Sequence, residues 1–412
     1  MTRSPLTLAA AASAALPRVG VVAAGPFTTN SAGRYDSAVL VLDDERDAVI
    51  RVPVDEEAAR DLAAEALALR ALTPGVRELL GVRAPRVLGD ARLRDAHAVV
   101  TDLLPGYQVE AAHVPGGPGA AVSIGQALAS VHALPATVAR SEGLPVRTPE
   151  ELRADTAALL DRADAIDRVP RTLMARWRGA VASDDVWRFE PTVVLGGAGA
   201  TSFVFQDTEA GPTVTGILDW HGLSVGDPAV DLGWLASAPD AADDVFDAYH
   251  RAAHRSPDAL LRSRSRLHAE LEFARWLVHG AELRDASIVD DAVALLESLA
   301  DTVHDDDLVP HALGEPLDDA LAILDLEPPA ASDVDTSMHT DAYDPEELAQ
   351  YVADESGQDA AEAPADEGET GPIDLVAWAE ERAERDDADP LVAAEEAERA
   401  SREALRRWAA SE

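Results

Sequence analysis

The chain contains no cysteine and no lysine, so all 34 of its lysine-plus-arginine total are arginines. Without cysteine there are no disulfides, no thiolate zinc sites and no cysteine nucleophiles, which fits a cytoplasmic protein. Without lysine, any cation that grips phosphate must be arginine, which binds as a planar, permanently charged fork, whereas lysine acts as a point charge. Positive charge is itself scarce, with 76 acidic side chains bringing the formal net charge to -42. Such a field excludes nucleic acid and anionic membrane surfaces as partners, because both contacts need clustered positive charge. No apolar run approaches the roughly 18 residues of a membrane span.

What the 412 residues do hold is enough length for two or three units of ordinary domain size, with a normal apolar fraction of 47%. The acidity peaks at the C-terminal end, where residues 331–412 carry 25 carboxylates and 6 arginines, but the preceding part is acidic too. At the N-terminus, Met1 to Pro17 reads either as a signal peptide or as a helix capped by Ser4 with Pro5 at its first position. The dominance of alanine over leucine and valine favours the helix.

Three regions follow from the patterning. Residues 1–104 are rich in strands, with β-type runs at 19–24, 37–42, 48–52, 86–89 and 97–101, and one helix from Glu56 to Leu72 closed by Pro74-Gly75. Residues 105–327 are mainly helical, with periodic segments at 121–134, 150–166, 260–283 and 286–303. Residues 328–412 begin with Pro328-Pro329 and read as a disordered acidic tail, because the apolar content cannot offset the entropy of ordering. Two short amphipathic segments in the tail carry Leu375, Trp378, Leu391, Leu405 and Trp408; they are solvated or dock on a protein partner. The expected class is α+β, a small sheet lobe followed by a larger helical lobe.

Two segments within the helical part stand out, Thr192-Val-Val-Leu-Gly-Gly-Ala-Gly-Ala-Thr-Ser-Phe-Val-Phe205 and Gly216-Ile-Leu-Asp-Trp-His-Gly-Leu-Ser-Val-Gly-Asp-Pro-Ala-Val-Asp-Leu232. In the second, an apolar strand delivers Asp219 to a strand end, and hard cations such as Mg²⁺ prefer carboxylate and phosphate oxygens. Asp227-Pro228 reads as an Asp N-cap with proline at the first helical position, and Asp231 is placed to hydrogen-bond nearby backbone. His221, a lone histidine beside Trp220, reads as packing or surface. In Val49-Ile-Arg-Val-Pro53, Arg51 is either an ordinary strand arginine or a phosphate ligand, and Glu65 on the following helix is placed to pair with it. The run Gly196-Gly-Ala-Gly199 also permits a phosphate-cradling loop, a weak reading without the matching strand and helix.

Taken together, these motifs resemble the aminoglycoside and macrolide phosphotransferase family over roughly residues 19–305. The family has a protein-kinase-like fold, with a small antiparallel-sheet N-lobe and a mainly helical C-lobe. The resemblance implies that ATP or GTP with Mg²⁺ donates a phosphoryl group to a small-molecule hydroxyl. It assigns Arg51, paired with Glu65, to the nucleotide's phosphates, the backbone near Asp102 and Leu104 to adenine, and Asp219 to the metal. The family's His-Gly-Asp is met here by Leu195-Gly196-Gly197, and the metal-binding Asn by Ser202, so Gly197 occupies the catalytic Asp position. Since a positioned base contributes about 10²–10⁴-fold, two readings stand: a phosphotransferase with weak or lost activity, or a pseudokinase that binds nucleotide or a protein partner without turnover.

Overall fold

A computed structural model of the chain describes residues 3–27, 33–93, 96–209, 211–253, 258–303 and 307–309. The chain divides into two units, residues 1–323 and 324–412. The expectations for the acidic tail, its linker and its two amphipathic segments lie outside the described residues.

Helix α1 (Pro5–Ala15) starts where the Ser4 hydroxyl accepts the Thr7 N–H at 3.3 Å, the cap expected from the sequence. It is followed by strands β1 (Val21–Pro26), β2 (Tyr35–Leu42) and β3 (Asp47–Pro53), helices α2 (Glu56–Ala71) and α3 (Pro74–Leu79), and strands β4 (Val87–Arg92) and β5 (His97–Asp102). The five strands form one antiparallel sheet in the order β1-β2-β3-β5-β4. Alternation along β3 decides what each face receives, because successive side chains point to opposite sides. Ala48, Ile50 and Val52 join Leu8, Ala12 and Leu16 in an apolar cluster under α1. Arg51 belongs to the other alternation, and its β5 neighbour Val99 packs with Leu62 and Ala66 of α2. Both faces of the sheet are thereby covered, which is why β3 lacks the apolar-polar alternation of a half-exposed strand.

The remainder is mainly helical: α4 (Ala120–His132), α5 (Thr137–Ser141), α6 (Pro149–Asp164), α7 (Arg171–Ala182), α8 (Pro239–Ala252), α9 (Leu261–Leu283) and α10 (Ala286–Thr302). Short strands interrupt it as two antiparallel pairs, β6 (Thr192–Val194) with β9 (Ser224–Gly226) and β7 (Phe203–Thr208) with β8 (Gly211–Ile217). One apolar core joins α4 and α8 to these strands, and a second joins α6, α7, α9 and α10. Helix α7 has no counterpart in the sequence reading. Its buried face is Leu173, Met174, Trp177 and Ala180, beside three arginines. It is tied to α9 through Glu270, which accepts from the Trp177 indole and from Arg176. No helix among the described residues is long and apolar enough to cross a membrane.

The covering helix α1 offers a test. Leu8 is 1% exposed and Leu6 79% exposed. Leu8→Ala should lower the unfolding free energy by about 2–5 kcal/mol, whereas Leu6→Ala should change it by less than about 0.5 kcal/mol, both measured by urea unfolding.

Candidate functional site

The sheet and the two strand pairs converge on one cluster of charged groups. The register of β3 turns Arg51 towards α2, where its guanidinium meets the Glu65 carboxylate at 2.8 Å. The expected pairing is therefore present, and the Tyr35 ring lies 5.7 Å from the guanidinium carbon. Strand β8 delivers Asp219 close enough to interact electrostatically with Arg51, Glu65 and His221. Ser202, at the end of the turn Ala200–Ser202, donates to an Asp219 oxygen at 2.9 Å, and its own carbonyl accepts the Leu218 N–H at 2.8 Å. The four charged or polar residues singled out for phosphate and metal, Arg51, Glu65, Ser202 and Asp219, thus come together.

Asp219 carries two marks of a poised group. Its backbone sits in the left-handed region at φ 58°, ψ 50°, uncommon for a residue with a side chain and costing on the order of 1–2 kcal/mol. Its carboxyl is also held above the ordinary value of 3.8 by burial first and by the Glu65 charge second, against the Ser202 hydrogen bond, Arg51 and His221. Two carboxylates share the Arg51 charge, so the cluster carries an unneutralised negative charge that a cation would relieve. Among the described residues no group of three or more His, Asp or Glu side chains is arranged to hold a metal. A metal on Asp219 and Ser202 would take its other ligands from phosphate and water, as Mg²⁺ at phosphate sites does.

The hinge candidates take distinct positions. The Asp102 N–H bonds the Arg86 carbonyl at 3.0 Å, its carboxylate accepts the Arg86 N–H, and the Leu103 N–H bonds the Asp47 carbonyl at 3.0 Å. The Leu104 N–H is the first in this run to make no hydrogen bond among the described residues. Three residues further on, the chain is clamped by reciprocal backbone bonds between Tyr107 and Phe205, 3.0 and 2.8 Å long.

The loop after β6 is where the expected acid is missing. Gly196 and Gly197 adopt φ of +84° and +112°, conformations that L side chains rarely adopt. A Cβ on Gly196 would collide with the Gly222 carbonyl, whereas one on Gly197 would meet nothing within 4 Å. A side chain at Gly197 would thus start in open space. Neither Asp207 nor Glu190, the nearest carboxylates in sequence, substitutes: Asp207 accepts the Tyr107 hydroxyl at 2.6 Å on an exposed part of β7, and Glu190 precedes β6.

Holding this loop is Asp231, fully buried, whose oxygens accept N–H groups of Leu195 at 2.6 Å, Gly197 at 2.7 Å and Ala198 at 3.2 Å. The expected backbone bonding of Asp231 is therefore to the loop of interest. His132 reaches the same carboxylate at 3.1 Å through Nε2 and the Tyr249 hydroxyl at 2.9 Å through Nδ1. Asp227 caps the following turn by accepting the Ala229 N–H at 3.0 Å, as expected. It is also gripped by Arg264 through one guanidinium nitrogen at 3.0 and 3.1 Å and by His268 at 3.0 Å. The sequence reading missed His132, Tyr249 and Arg264. A histidine and an arginine at positions that otherwise face inward on α4 and α9 are the signal that could have marked two of them.

A model described as a phosphotransferase enzyme family, APH, matches residues 26–267. Among solved structures the chain is similar to macrolide 2'-phosphotransferase MphH from Brachybacterium faecium, at 22% identity and a TM-score of 0.57, covering 71% of this chain and 96% of that one. It is also similar to a type I macrolide 2'-phosphotransferase, at 23% identity and a TM-score of 0.53, covering 72% and 98%. The GDP complex of aminoglycoside 2'-phosphotransferase-IIIa matches at 17% identity and a TM-score of 0.59, again covering 72% and 98%. At such identities the likeness is one of fold. No curated protein matches the sequence.

Burial alone would raise the Asp227 carboxyl, but the His268 hydrogen bond and the Arg264 charge bring it down from 3.8 to about 2. A carboxyl depressed in the folded state adds stability that is present above the unfolded value and lost as pH falls through the folded one. Urea unfolding should therefore show about 2 kcal/mol of stability disappearing between roughly pH 4 and pH 2, and Asp227→Asn should remove that part of the pH dependence.

Proposed function

The chain belongs to the phosphotransferase enzyme family, and from that membership we propose that it binds ATP or GTP with Mg²⁺ beside Asp219 and transfers phosphate slowly or not at all. Arg51 takes the phosphates, with Glu65 fixing its guanidinium, and arginine suits that task because its fork matches phosphate oxygens. Asp219 and Ser202 contribute metal ligands. In such sites the metal neutralises charge on the transferring phosphoryl group. The Leu104 N–H, on the segment after β5, is the donor offered to the base. Capture of a fold relative with GDP supports a nucleotide in this place.

The observation that carries the impaired half of the proposal is Gly197. It offers no group to accept the proton of an acceptor hydroxyl, and Asp207, the next carboxylate after it in the sequence, is bound to the Tyr107 hydroxyl instead. Phosphoryl transfer depends mainly on positioning and charge neutralisation, so loss of the base slows the reaction without dismantling the nucleotide site. The acceptor in the active reading is a hydroxyl of an antibiotic or another small molecule. A cytoplasmic location belongs to this reading, since nucleoside triphosphate is available there.

The experiment measures nucleotide binding by calorimetry and phosphotransfer over macrolides, aminoglycosides and simple sugars, for the natural chain and for Asp219→Asn. Binding should require Mg²⁺ and fall by about tenfold or more in Asp219→Asn. The apo variant should unfold at a higher temperature than the natural apo chain, because it no longer buries a carboxylate in excess of its partners. Turnover by the natural chain should stay below ~0.1 s⁻¹, about 10²-fold or more under ordinary kinase rates. Turnover at ordinary rates would overturn the impairment, and binding indifferent to Mg²⁺ and to Asp219→Asn would overturn the nucleotide site.

A further inference from the structure

Alternate residues of β2 meet different surroundings. Asp36, Ala38, Leu40 and Leu42 are buried, and the three apolar ones join the cluster under α1. Tyr35, Ser37 and Val39 belong to the other alternation and are only partly buried. Side chains two apart on a strand share a face, so these three stand on the side of the sheet opposite α1. Ser37 lies directly across from Arg51 of β3, and residues so opposed project to the same face with Cβ atoms about 4.5–5.5 Å apart. The Tyr35 ring, 5.7 Å from the Arg51 guanidinium carbon, marks that same face.

What distinguishes Ser37 is its hydroxyl. The oxygen is buried and has no hydrogen-bond partner among the described residues. Other inward-facing serines of the fold are satisfied within the chain: Ser123 donates to the Ala120 carbonyl and accepts the Val214 N–H, Ser265 donates to the Arg262 carbonyl, and Ser202 donates to Asp219. Buried polar atoms are paired in the great majority of cases, so an exception points to a partner from outside the chain. Because Ser37 as a whole is only partly buried, a turn between staggered χ1 positions carries the hydroxyl to the open side of the strand.

The neighbours of that hydroxyl define what it can meet. The Arg51 guanidinium faces the Glu65 carboxylate at 2.8 Å and interacts electrostatically with Asp219. A guanidinium and a hydroxyl on one face of adjacent strands are a pair of donors at a fixed separation, suited to a group with several acceptor oxygens. Phosphate is such a group. Both donors also belong to one packed sheet, so little freedom is lost in bringing them onto a ligand.

We propose that Ser37 is a further nucleotide-binding residue, its hydroxyl donating to an oxygen of the phosphates that Arg51 grips. The inference rests on the nucleotide reading of the Arg51–Asp219 site and adds to it a contact from β2. Glu65 holds the guanidinium from the side of α2, which leaves its other N–H groups for phosphate. Ser37 supplies a donor from the neighbouring strand, and the ligand satisfies a hydroxyl that the chain itself does not.

The test titrates ATP and GTP, each with Mg²⁺, into the full-length natural chain and into Ser37→Ala, Ser37→Thr and Ser37→Val by calorimetry. Thr and Val have nearly the same shape and differ in the hydroxyl, so a change in packing alone would move them together. Ser37→Ala and Ser37→Val should weaken the triphosphate that the natural chain binds by about tenfold or more, the loss of a hydrogen bond to a charged group. Ser37→Thr should stay within about threefold of the natural chain. Without nucleotide, the urea midpoint of Ser37→Ala should be no lower than that of the natural chain, because the substitution removes an unsatisfied donor. Natural affinity in Ser37→Val, equal weakening in Ser37→Thr and Ser37→Val, or a lowered urea midpoint in Ser37→Ala would each overturn this inference and leave the nucleotide site standing. Failure of the natural chain to bind either triphosphate would overturn the nucleotide site and this inference with it.

Discussion

A carboxylate with no exposed surface, Asp231, holds the part of this protein on which the functional question turns. A buried charge is costly unless hydrogen bonds replace its lost water, and here three loop N–H groups and an imidazole do so. The same bonds fix the backbone between β6 and β7, whose glycines would otherwise leave it loose. Through Leu218 and Ser202 that loop is also bound to the strand end that carries Asp219. Loop and carboxylate therefore form one unit.

Around that unit the charges are unequal in kind. Arg51 and Glu65 satisfy each other between sheet and α2, an arrangement maintained by packing on both faces of the sheet. Asp219 is held at a cost, in a left-handed backbone and with its carboxyl raised by burial and by Glu65. Strain and desolvation at one residue, within an otherwise well-satisfied fold, fit a group whose partner arrives with a ligand. Asp227 shows the contrast: although more deeply buried, it is supplied with Arg264 and His268 and titrates well below the usual carboxylate range. One aspartate is structural and the other poised, although eight positions apart in one segment.

How much of this was legible in the sequence varied with the range of the interaction. Short β-type runs in β2, β3 and β5, the Ser4 and Asp227 caps and the Arg51–Glu65 pair rest on local pattern, and each is found. The Gly216–Leu232 segment was recognisable by its residue types, and the Thr192–Phe205 segment by its spacing before it alone. His132, Tyr249 and Arg264 were not legible, since their roles depend on α4, α8 and α9 packing beside strands far away in sequence. Helix α7 carries a buried face of Leu173, Met174, Trp177 and Ala180, but its tie to Glu270 on α9 is non-local. The left-handed backbone of Asp219 and the open space at Gly197 are properties of three-dimensional closure and leave no trace in composition.

The account claims that the phosphotransferase scaffold keeps its nucleotide and metal groups while the place of the catalytic carboxylate stays empty. The most direct measurement is a crystal structure of the chain with Mg²⁺ and a non-hydrolysable ATP analogue. The account predicts the metal on Asp219, Arg51 on a phosphate oxygen, and no carboxylate other than Asp219 within roughly 4 Å of the terminal phosphoryl group, the reach of a base through direct contact. A second carboxylate swung into that space, from Asp207, Glu190 or elsewhere in the chain, would contradict it.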